Sequence, residues 1–246
     1  MSYDYKEGKK RIEAILDNDL TIIEKNELPN DDNFTFENGY YSLVTAIFVD
    51  IRNSTELFNE DDKEKVSKII RCFTSEIIEI LRDSDNLRVI GIRGDCVYAI
   101  YTTPLKKDTY SIVEKTFYVN TLLKMLNKLY NNNGWDGISA GIGISTAREL
   151  VVKAGRKGIG INNKVWIGDA VTKASNLSSL GSNGTYKSII LSNCTYINTI
   201  NAMIKDNGEK AKSWFTEHYS LDFGTFYDAS LLISGFDNWI ESGMKD

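Results

Sequence analysis

Apolar positions along this chain follow two different periods. Residues 44–49 (VTAIFV) form an apolar run rich in β-branched side chains, which is typical of a strand buried on both faces. Comparable runs between turn signals predict further strands at 87–92, 97–101, 138–145, 148–154, 165–167 and 186–191, with a closing hairpin at 219–234. Residues 148–154 are expected to return as the hairpin partner of 138–145.

Helical spacing of apolar residues predicts helices at 5–25, 61–82, 109–130, 168–180 and 198–212. The segment 26–39 contains Pro29 and several Asn and Asp residues, and we interpret it as a linker. The helix at 5–25 either packs on its own domain or serves as a dimerisation element. This order of strands and helices predicts one α+β domain.

Composition narrows the class of protein. A chain of 246 residues with 42% hydrophobic side chains can bury a substantial core. Its net charge of -5 argues against a general nucleic-acid binder, which would carry a basic face. The three cysteines are widely spaced and predict neither a disulfide framework nor a zinc site. Without an apolar stretch of membrane length or a signal peptide, we expect a cytoplasmic protein that contacts no membrane.

The first candidate site follows the strand at 44–49. Asp50 ends this buried run, and the next residues can form a tight turn that starts a helix near Glu56. Backbone N–H groups at the start of such a helix face an anion, while the carboxylate faces a cation. The alternative is an ordinary turn in which Asp50 caps its own helix.

A second carboxylate lies on a predicted hairpin. Residues 93–95, Arg-Gly-Asp, join the strands at 87–92 and 97–101 and place Asp95 at the tip. Mg²⁺ typically takes one or two protein carboxylates plus substrate phosphates. Asp50 and Asp95 beside a phosphate-binding turn therefore fit a complex of a metal ion and a nucleoside triphosphate.

Four segments resemble the class III nucleotidyl cyclases. FVDIRNST is similar to their first metal-binding motif, GIRGDCVYAIY to their second, ISAGIGIS to their central strand, and VWIGDAVTKASNL to their G-x-x-V-N-x-A-S-R-L helix. The resemblance covers about residues 41–180. Within the family, the chain most resembles the pyrimidine cyclases of bacterial Pycsar anti-phage systems. It implies a ferredoxin-like palm with an N-terminal helix and linker at 1–40, a catalytic domain at 41–235 and a tail at 236–246.

The resemblance also implies roles for particular residues. Asp50 and Asp95 would bind two divalent ions, Mg²⁺ or Mn²⁺, with the backbone carbonyl of Ile51 as a further ligand. The family's transition-state Asn and Arg correspond to Thr172 and Asn176 here, and neither replacement carries charge. Class III sites form between two subunits, so we expect a homodimer with two equivalent sites.

Polar residues near the two aspartates are candidates for nucleotide binding. The turn residues Asn53, Ser54 and Thr55 would meet phosphate oxygens. Arg52 and Arg93 either pair with phosphate or neutralise the carboxylates. The cation that the Thr172 and Asn176 positions lack could come from Lys173, Arg52, Arg93 or a basic residue of a partner subunit.

The base is expected to lie near Val89, Val165 and Trp166. By alignment, Val89 and Val165 occupy the two places where purine cyclases carry polar base-reading residues, and neither can hydrogen-bond. Trp166 either points into the pocket and shortens it toward a single-ring base or belongs to the core. Asp169 is expected to cap its helix, which leaves no free carboxylate for the cytosine amine. These residues favour UTP over CTP, with 3′,5′-cyclic UMP and pyrophosphate as products.

Other functions remain open at this point. A cytidylate or purine cyclase would use the same two aspartates. Thr172 and Asn176 favour a catalytically silent nucleotide-binding dimer module, and a diguanylate cyclase lacks support because no GGDEF-like segment is present. The Pycsar resemblance implies that the product reaches a separate cyclic-nucleotide-binding effector.

Overall fold

A computed structural model describes residues 3–58, 61–158, 160 and 162–245. The helices are α1 (Tyr5–Leu16), α2 (Ser54–Phe58), α3 (Lys63–Arg82), α4 (Lys106–Asn132), α5 (Asp169–Ser178), α6 (Asn193–Asn207) and α7 (Ser234–Glu241). The strands are β1 (Thr21–Glu24), β2 (Asn38–Ile51), β3 (Leu87–Arg93), β4 (Cys96–Thr102), β5 (Ala140–Gly155), β6 (Asn162–Gly168), β7 (Ile189–Ser192), β8 (Thr216–Ser220) and β9 (Gly224–Ala229). Short 3-10 turns lie at Asp31–Asn33 and Glu209–Trp214.

All of these strands join one mixed sheet, which confirms the α+β class. The main order is β3-β4-β2-β5-β7-β9-β8. β1 pairs in parallel with the start of β2, and β6 pairs antiparallel with the second half of β5. The predicted closing hairpin is present as β8 and β9, although it spans 216–229 and not the predicted 219–234. The sheet thus places β2, which ends near Asp50, between β4 and β5.

Two layers cover the sheet. On one face, α3 and α4 pack against Ile47 and Val49 of β2. The predicted stripe of α3 is fully buried there at Ile69, Phe73, Ile77 and Leu81. On the other face, Val44, Ala46 and Phe48 are covered by α5 and by the linker residues Leu28 and Phe34. Because both faces of β2 are buried, its apolar run is nearly continuous.

The N-terminal prediction needs correction. The helix ends at Leu16, and residues 21–24 form the edge strand β1 instead of its last turn. Ile12, Ile15 and Leu16 are largely exposed, so the described chain does not bury the apolar face of α1. The structure therefore does not support the interpretation that α1 is packed on its own domain.

Three other boundaries also differ. β5 is one strand of 16 residues, and its hairpin partner is β6, not residues 148–154. No turn separates the predicted strands at 138–145 and 148–154, so the second continues the first instead of folding back on it. α6 begins at Asn193. The predicted tail contains the helix α7, whose Asp237 and Glu241 lie 2.5 and 2.6 Å from the Lys124 ammonium.

Within the described residues, no helix combines the length and apolarity needed to cross a bilayer.

Candidate active site

The structure brings Asp50 and Asp95 together at one end of the sheet. Asp50 pairs with Cys96 in the β2–β4 register, and Asp95 directly precedes Cys96 in the hairpin turn. Gly94 makes this turn possible because its φ of 64° is a left-handed value that favours glycine. The two carboxylates that the motifs predicted thus come from adjacent strands.

The electrostatics of the pair are unfavourable without a cation. Burial raises the pKa of Asp50, and the nearby Asp95 carboxylate raises it further, while Arg52 opposes both effects. The Oδ2 atom of Asp95 is buried without a hydrogen-bond partner in the described part of the chain. An unpaired buried carboxylate oxygen is costly unless a proton or a cation meets it.

This donor set fits a hard divalent cation. Two carboxylates on adjacent strands supply oxygen ligands, and Mg²⁺ commonly completes such a site with water and substrate phosphates. No cluster of three or more His, Cys, Asp or Glu side chains suited to a metal occurs among the described residues. Beyond the two carboxylates, a metal here would take its ligands from backbone carbonyls, water and substrate oxygens.

Arg52 is held by its own chain. Its Nη2 atom lies 2.7 Å from Asp50 Oδ2, and its Nη1 donates to the Ser179 carbonyl at 2.9 Å. The backbone N–H of Arg52 also donates to the Ser139 carbonyl at 2.8 Å. Of the two interpretations, this geometry favours a guanidinium that neutralises Asp50 and ties the turn to the end of α5. It does not support the alternative that Asp50 caps α2, since the Asp50 carboxylate meets Arg52.

The predicted phosphate-binding turn is present but short. Asn53 has a φ of 54°, and its carbonyl accepts the N–H groups of Glu56 and Leu57. Ser54 and Thr55 begin α2, which has only five residues. Their role toward phosphate stays a prediction.

The two other basic candidates differ in position. Arg93 pairs with Cys96, so its side chain lies on the same face of the sheet as Asp50, and it is exposed. No carboxylate pairs with it among the described residues. Lys173 instead lines a cavity of about 540 Å³ together with Arg148 and Cys194, and neither Asp50 nor Asp95 lines that cavity. Arg93 is therefore the better-placed free cation.

Helix α5 lies directly on the central strand. A Cβ at Gly141 would lie 2.0 Å from the Ser178 carbonyl oxygen, and one at Gly143 would lie 2.0 Å from that of Ala174. Since Gly141 pairs with Asp50, the end of α5 sits beside the carboxylate pair. Thr172 and Asn176 are exposed on this helix.

The three predicted base contacts are separated by strand alternation. Val89 and Trp166 lie on the Asp50 face, where both pack against its core cluster. Val165 pairs with Val152 and points to the opposite face, with 42% of its surface exposed. Within one chain, Val165 therefore lies across the sheet from the aspartates.

The motifs did not reveal how α5 is capped. Asp169 is the first residue of the helix and does not cap it, contrary to expectation. Glu149 of β5 does so instead: its Oε1 accepts the N–H groups of Ala170 at 2.5 Å and Val171 at 3.3 Å. Burial raises the pKa of Glu149, although these two N–H groups lower it. The sequence signal that could have revealed this buried role is the single acid Glu149 in the apolar strand segment RELVV.

The chain is similar to known cyclases in sequence. The family described as the adenylate and guanylate cyclase catalytic domain matches residues 36–207. A uridylate cyclase from Treponema porcinum is 54% identical over 246 residues, covering 100% of this chain and 84% of that protein. A uridylate cyclase from Gulbenkiania mobilis is 30% identical over 249 residues, covering 98% of this chain and 96% of that protein.

Solved structures share the fold. The adenylyl cyclase CyaB from P. aeruginosa superposes with a TM-score of 0.62 at 22% identity, covering 78% of this chain and 95% of that chain. At this level of identity the likeness concerns the fold alone. It agrees with the arrangement of sheet and helices described above.

Proposed function

The chain belongs to the family of adenylate and guanylate cyclase catalytic domains, and from this premise we propose that it converts UTP to 3′,5′-cyclic UMP and pyrophosphate. The observation that carries the proposal is the meeting of Asp50 and Asp95 at one end of the sheet, with an unpartnered buried oxygen on Asp95. The two similar uridylate cyclases support UTP as the substrate.

Each residue near the pair has a proposed task. Asp50, Asp95 and the Ile51 carbonyl would hold Mg²⁺ or Mn²⁺, with two ions per site. When bound, such ions neutralise charge on the attacking and leaving oxygens. Arg93 faces the triphosphate, because its exposed guanidinium shares the Asp50 face. Arg52 favours the ionised form of Asp50 and orients its carboxylate.

We further propose a homodimer with sites at the interface. Thr172 and Asn176 are exposed on α5, where a second copy of the chain can meet them. Each would act on substrate held by the aspartates of the other subunit. Neither side chain is charged, so their contribution to the transition state is hydrogen bonding, and Arg93 supplies positive charge.

In the cell, the product would act as a second messenger in anti-phage defence. The chain would then need a separate effector that binds the cyclic nucleotide. Cells that express this chain alone should accumulate cyclic UMP without growth arrest. Growth arrest in the absence of any effector would contradict this role.

One assay separates the candidate functions. The protein is incubated with all four nucleoside triphosphates and Mn²⁺, and the products are identified by chromatography, with Asp50→Asn as the inactive control. We expect cyclic UMP. Cyclic CMP would change only the choice between pyrimidines, whereas cyclic AMP or cyclic GMP as main product would overturn the base assignment. Nucleotide binding without any product would favour the silent module, which the uncharged Thr172 and Asn176 also favour.

A further inference from the structure

The central strand β5 changes neighbours on one side, at the end of the sheet away from the aspartates. It pairs with β7 at residues 142–144 and with β6 only from Glu149 onward. Residues 145–148 therefore have no strand on that side in the described chain. The cavity of about 540 Å³ that Lys173 lines occupies this gap, and its lining includes residues 145–148 and 192–194. We call it the Lys173 cavity.

The Lys173 cavity is separate from the aspartate site. Thr146, which lines the cavity, lies five residues along β5 from Gly141, and Gly141 pairs with Asp50. At the usual strand rise this interval is about 17 Å. A ligand in the cavity would therefore not touch the carboxylate pair of the same chain.

One part of the cavity carries a free positive charge. Burial raises the pKa of the Cys194 thiol, whereas a hydrogen bond from Asn198 and the nearby Lys173 ammonium lower it. No carboxylate of the described residues forms an ion pair with Lys173. Arg148 also lines the cavity, but its guanidinium lies 2.6 Å from Glu24. The unneutralised cation of the cavity is therefore Lys173, close to Cys194.

The one carboxylate of the cavity lies toward the other end of α5. Asp169 is the first residue of that helix. Its carboxylate adds to the effect of burial in raising the pKa of Glu149, which caps α5. Asp169 therefore faces Glu149, while Lys173 faces Cys194, and the positive charge stays available to an anion.

Helix α6 begins beside Lys173. Its N-cap Ser192 accepts the backbone N–H of Thr195, and the N–H groups of Asn193 and Cys194 have no partner within the helix. The start of a 15-residue helix also carries a partial positive charge. Unpaired N–H groups together with an ammonium group form the usual surroundings of a bound phosphate.

A buried hydroxyl in the cavity also lacks a partner. Ser145 is only 1% exposed, lines the cavity and makes no hydrogen bond to any residue that the structure describes. The neighbouring hydroxyls are satisfied, because Thr195 bonds to both Thr146 and Ser192 at 3.0 Å. A buried hydroxyl without a partner costs free energy unless a ligand or water meets it. Ser145 thus indicates a polar ligand, independently of the helix start.

We propose that the Lys173 cavity binds a phosphate group, free or carried by a nucleotide, at a second site apart from the aspartates. Lys173 supplies the positive charge, and the Ser145 hydroxyl and the first N–H groups of α6 donate to the phosphate oxygens. Lys173 is then not the cation that the Thr172 and Asn176 positions lack. This site does not depend on the proposed function, because binding needs no turnover.

Alkylation of Cys194 measures binding at this site. Cys194 and Cys72 are both exposed, so iodoacetamide can reach both thiols, and mass spectrometry gives each rate. With EDTA present, saturating inorganic phosphate should slow the alkylation of Cys194 at least about 5-fold, because a bound anion covers the thiol and disfavours its thiolate. The rate at Cys72 should not change, and potassium chloride of equal ionic strength should protect neither thiol.

Titration with UMP distinguishes the two sources of the phosphate group. Protection of Cys194 at a lower concentration of UMP than of inorganic phosphate would identify a nucleotide as the ligand. Equal or weaker protection by UMP would identify free phosphate. Equal slowing of Cys194 and Cys72 by both compounds would overturn the site.

Two substitutions test the residues of the cavity, each compared with the same variant in the absence of phosphate. Lys173→Met should raise the phosphate concentration for half-protection at least about 10-fold. Ser145→Ala should raise it about 5-fold without lowering Tm, because the hydroxyl has no partner in the protein. The control is Lys210→Met, at an exposed position of the second 3-10 turn, which should leave protection unchanged.

Undiminished protection in Lys173→Met would overturn the second site, whatever the enzyme produces from UTP. Failure of the wild type to make cyclic UMP would overturn the proposed function and leave the protection of Cys194 as expected here.

Discussion

Gly143 lies directly beneath the carbonyl oxygen of Ala174, where a Cβ would approach that oxygen to 2.0 Å. The Ser178 backbone nitrogen would be only 2.2 Å from the same Cβ. Both neighbours are backbone atoms of α5 and cannot move aside as a flexible side chain could. The glycines of the central strand thus allow α5 to sit on the sheet beside Asp50.

We predict that Gly143→Ala lowers the free energy of unfolding by about 3 kcal/mol or more, because the added methyl group pushes α5 off the strand. Activity should fall as well, since α5 carries Thr172 and Asn176. Chemical denaturation measures the stability. The matched control is Gly235→Ala in α7, where nothing lies within 4 Å of the new Cβ. That substitution should be neutral or stabilise by up to about 1 kcal/mol, and equal losses in both variants would refute the close packing of α5.

Substitution of Arg52 decides between its two interpretations. If Arg52 orients Asp50 and anchors the Ser179 carbonyl, Arg52→Lys should lower the free energy of unfolding by about 1–3 kcal/mol and reduce kcat with little change in KM. The lysine keeps the charge but cannot reach both partners with a planar fork. Steady-state kinetics with UTP and thermal unfolding provide the two measurements.

The control for this substitution is Arg82→Lys, which alters an exposed ion pair to Glu79 at 3.3 Å and should change stability by less than about 0.5 kcal/mol. A raised KM with unchanged stability in Arg52→Lys would instead identify Arg52 as a direct phosphate ligand.

Local patterns were sufficient for the elements that carry the aspartates. An apolar run that ends in Asp50 and an Arg-Gly-Asp turn that carries Asp95 are each encoded within about ten residues. The buried stripes of α3 and α4 were predicted for the same reason. Each of these features can be recognised from neighbouring residues alone, without knowing its contacts elsewhere in the chain.

The features that the sequence did not reveal depend on distant contacts. β1 has only four residues and becomes a strand because β2 lies alongside it. Glu149 caps a helix 21 residues away, and Arg52 reaches a carbonyl 127 residues away. Such pairs have no local pattern, since tertiary packing decides them.

Removing one of the paired carboxylates should lower the activity without lowering the stability of the metal-free protein. Asp95→Asn should reduce kcat/KM for UTP more than about 100-fold, because it removes a proposed metal ligand. In the presence of a chelator, the same variant should be as stable as the wild type or more so, because the repulsion that raises the pKa of Asp50 is relieved.

Thermal unfolding with EDTA and then with Mg²⁺ tests this prediction. The wild type should gain stability with Mg²⁺ and the variant should not. The control is Asp85→Asn, at an exposed position outside the site. An equal response of Asp95→Asn and wild type to Mg²⁺ would exclude Asp95 as a ligand.

The cap of α5 should make stability depend on pH. The pKa of Glu149 is raised in the folded protein, mainly by burial. The folded state therefore binds the proton more tightly than the unfolded state, and this contribution to stability is lost as pH rises through the folded pKa. Glu149→Gln keeps an oxygen for the Ala170 N–H without the charge. Its Tm relative to wild type should rise between pH 4.5 and pH 8, which circular dichroism can follow.

Glu79→Gln on the exposed face of α3 is the matched control for this measurement, and its Tm difference should stay small across the range. A Tm difference for Glu149→Gln that stays constant or falls with pH would mean that the buried charge of Glu149 does not destabilise the folded protein.

Mixing two inactive variants tests whether the site is shared between subunits. One partner carries Asp50→Asn, and the other carries Asn176→Ala on α5. Each homodimer should be inactive, but a heterodimer combines one intact set of aspartates with one intact α5, because a symmetric dimer has two equivalent sites at its interface. Random exchange makes half of the dimers heterodimers with one working site each, so the mixture should recover about a quarter of wild-type activity.

Asp50→Asn mixed with Asp95→Asn is the control, since both changes fall in the same half-site and no working site can form. Recovery in this control, or no recovery in the test mixture when each variant alone is folded and dimeric, would show that each chain builds its site alone.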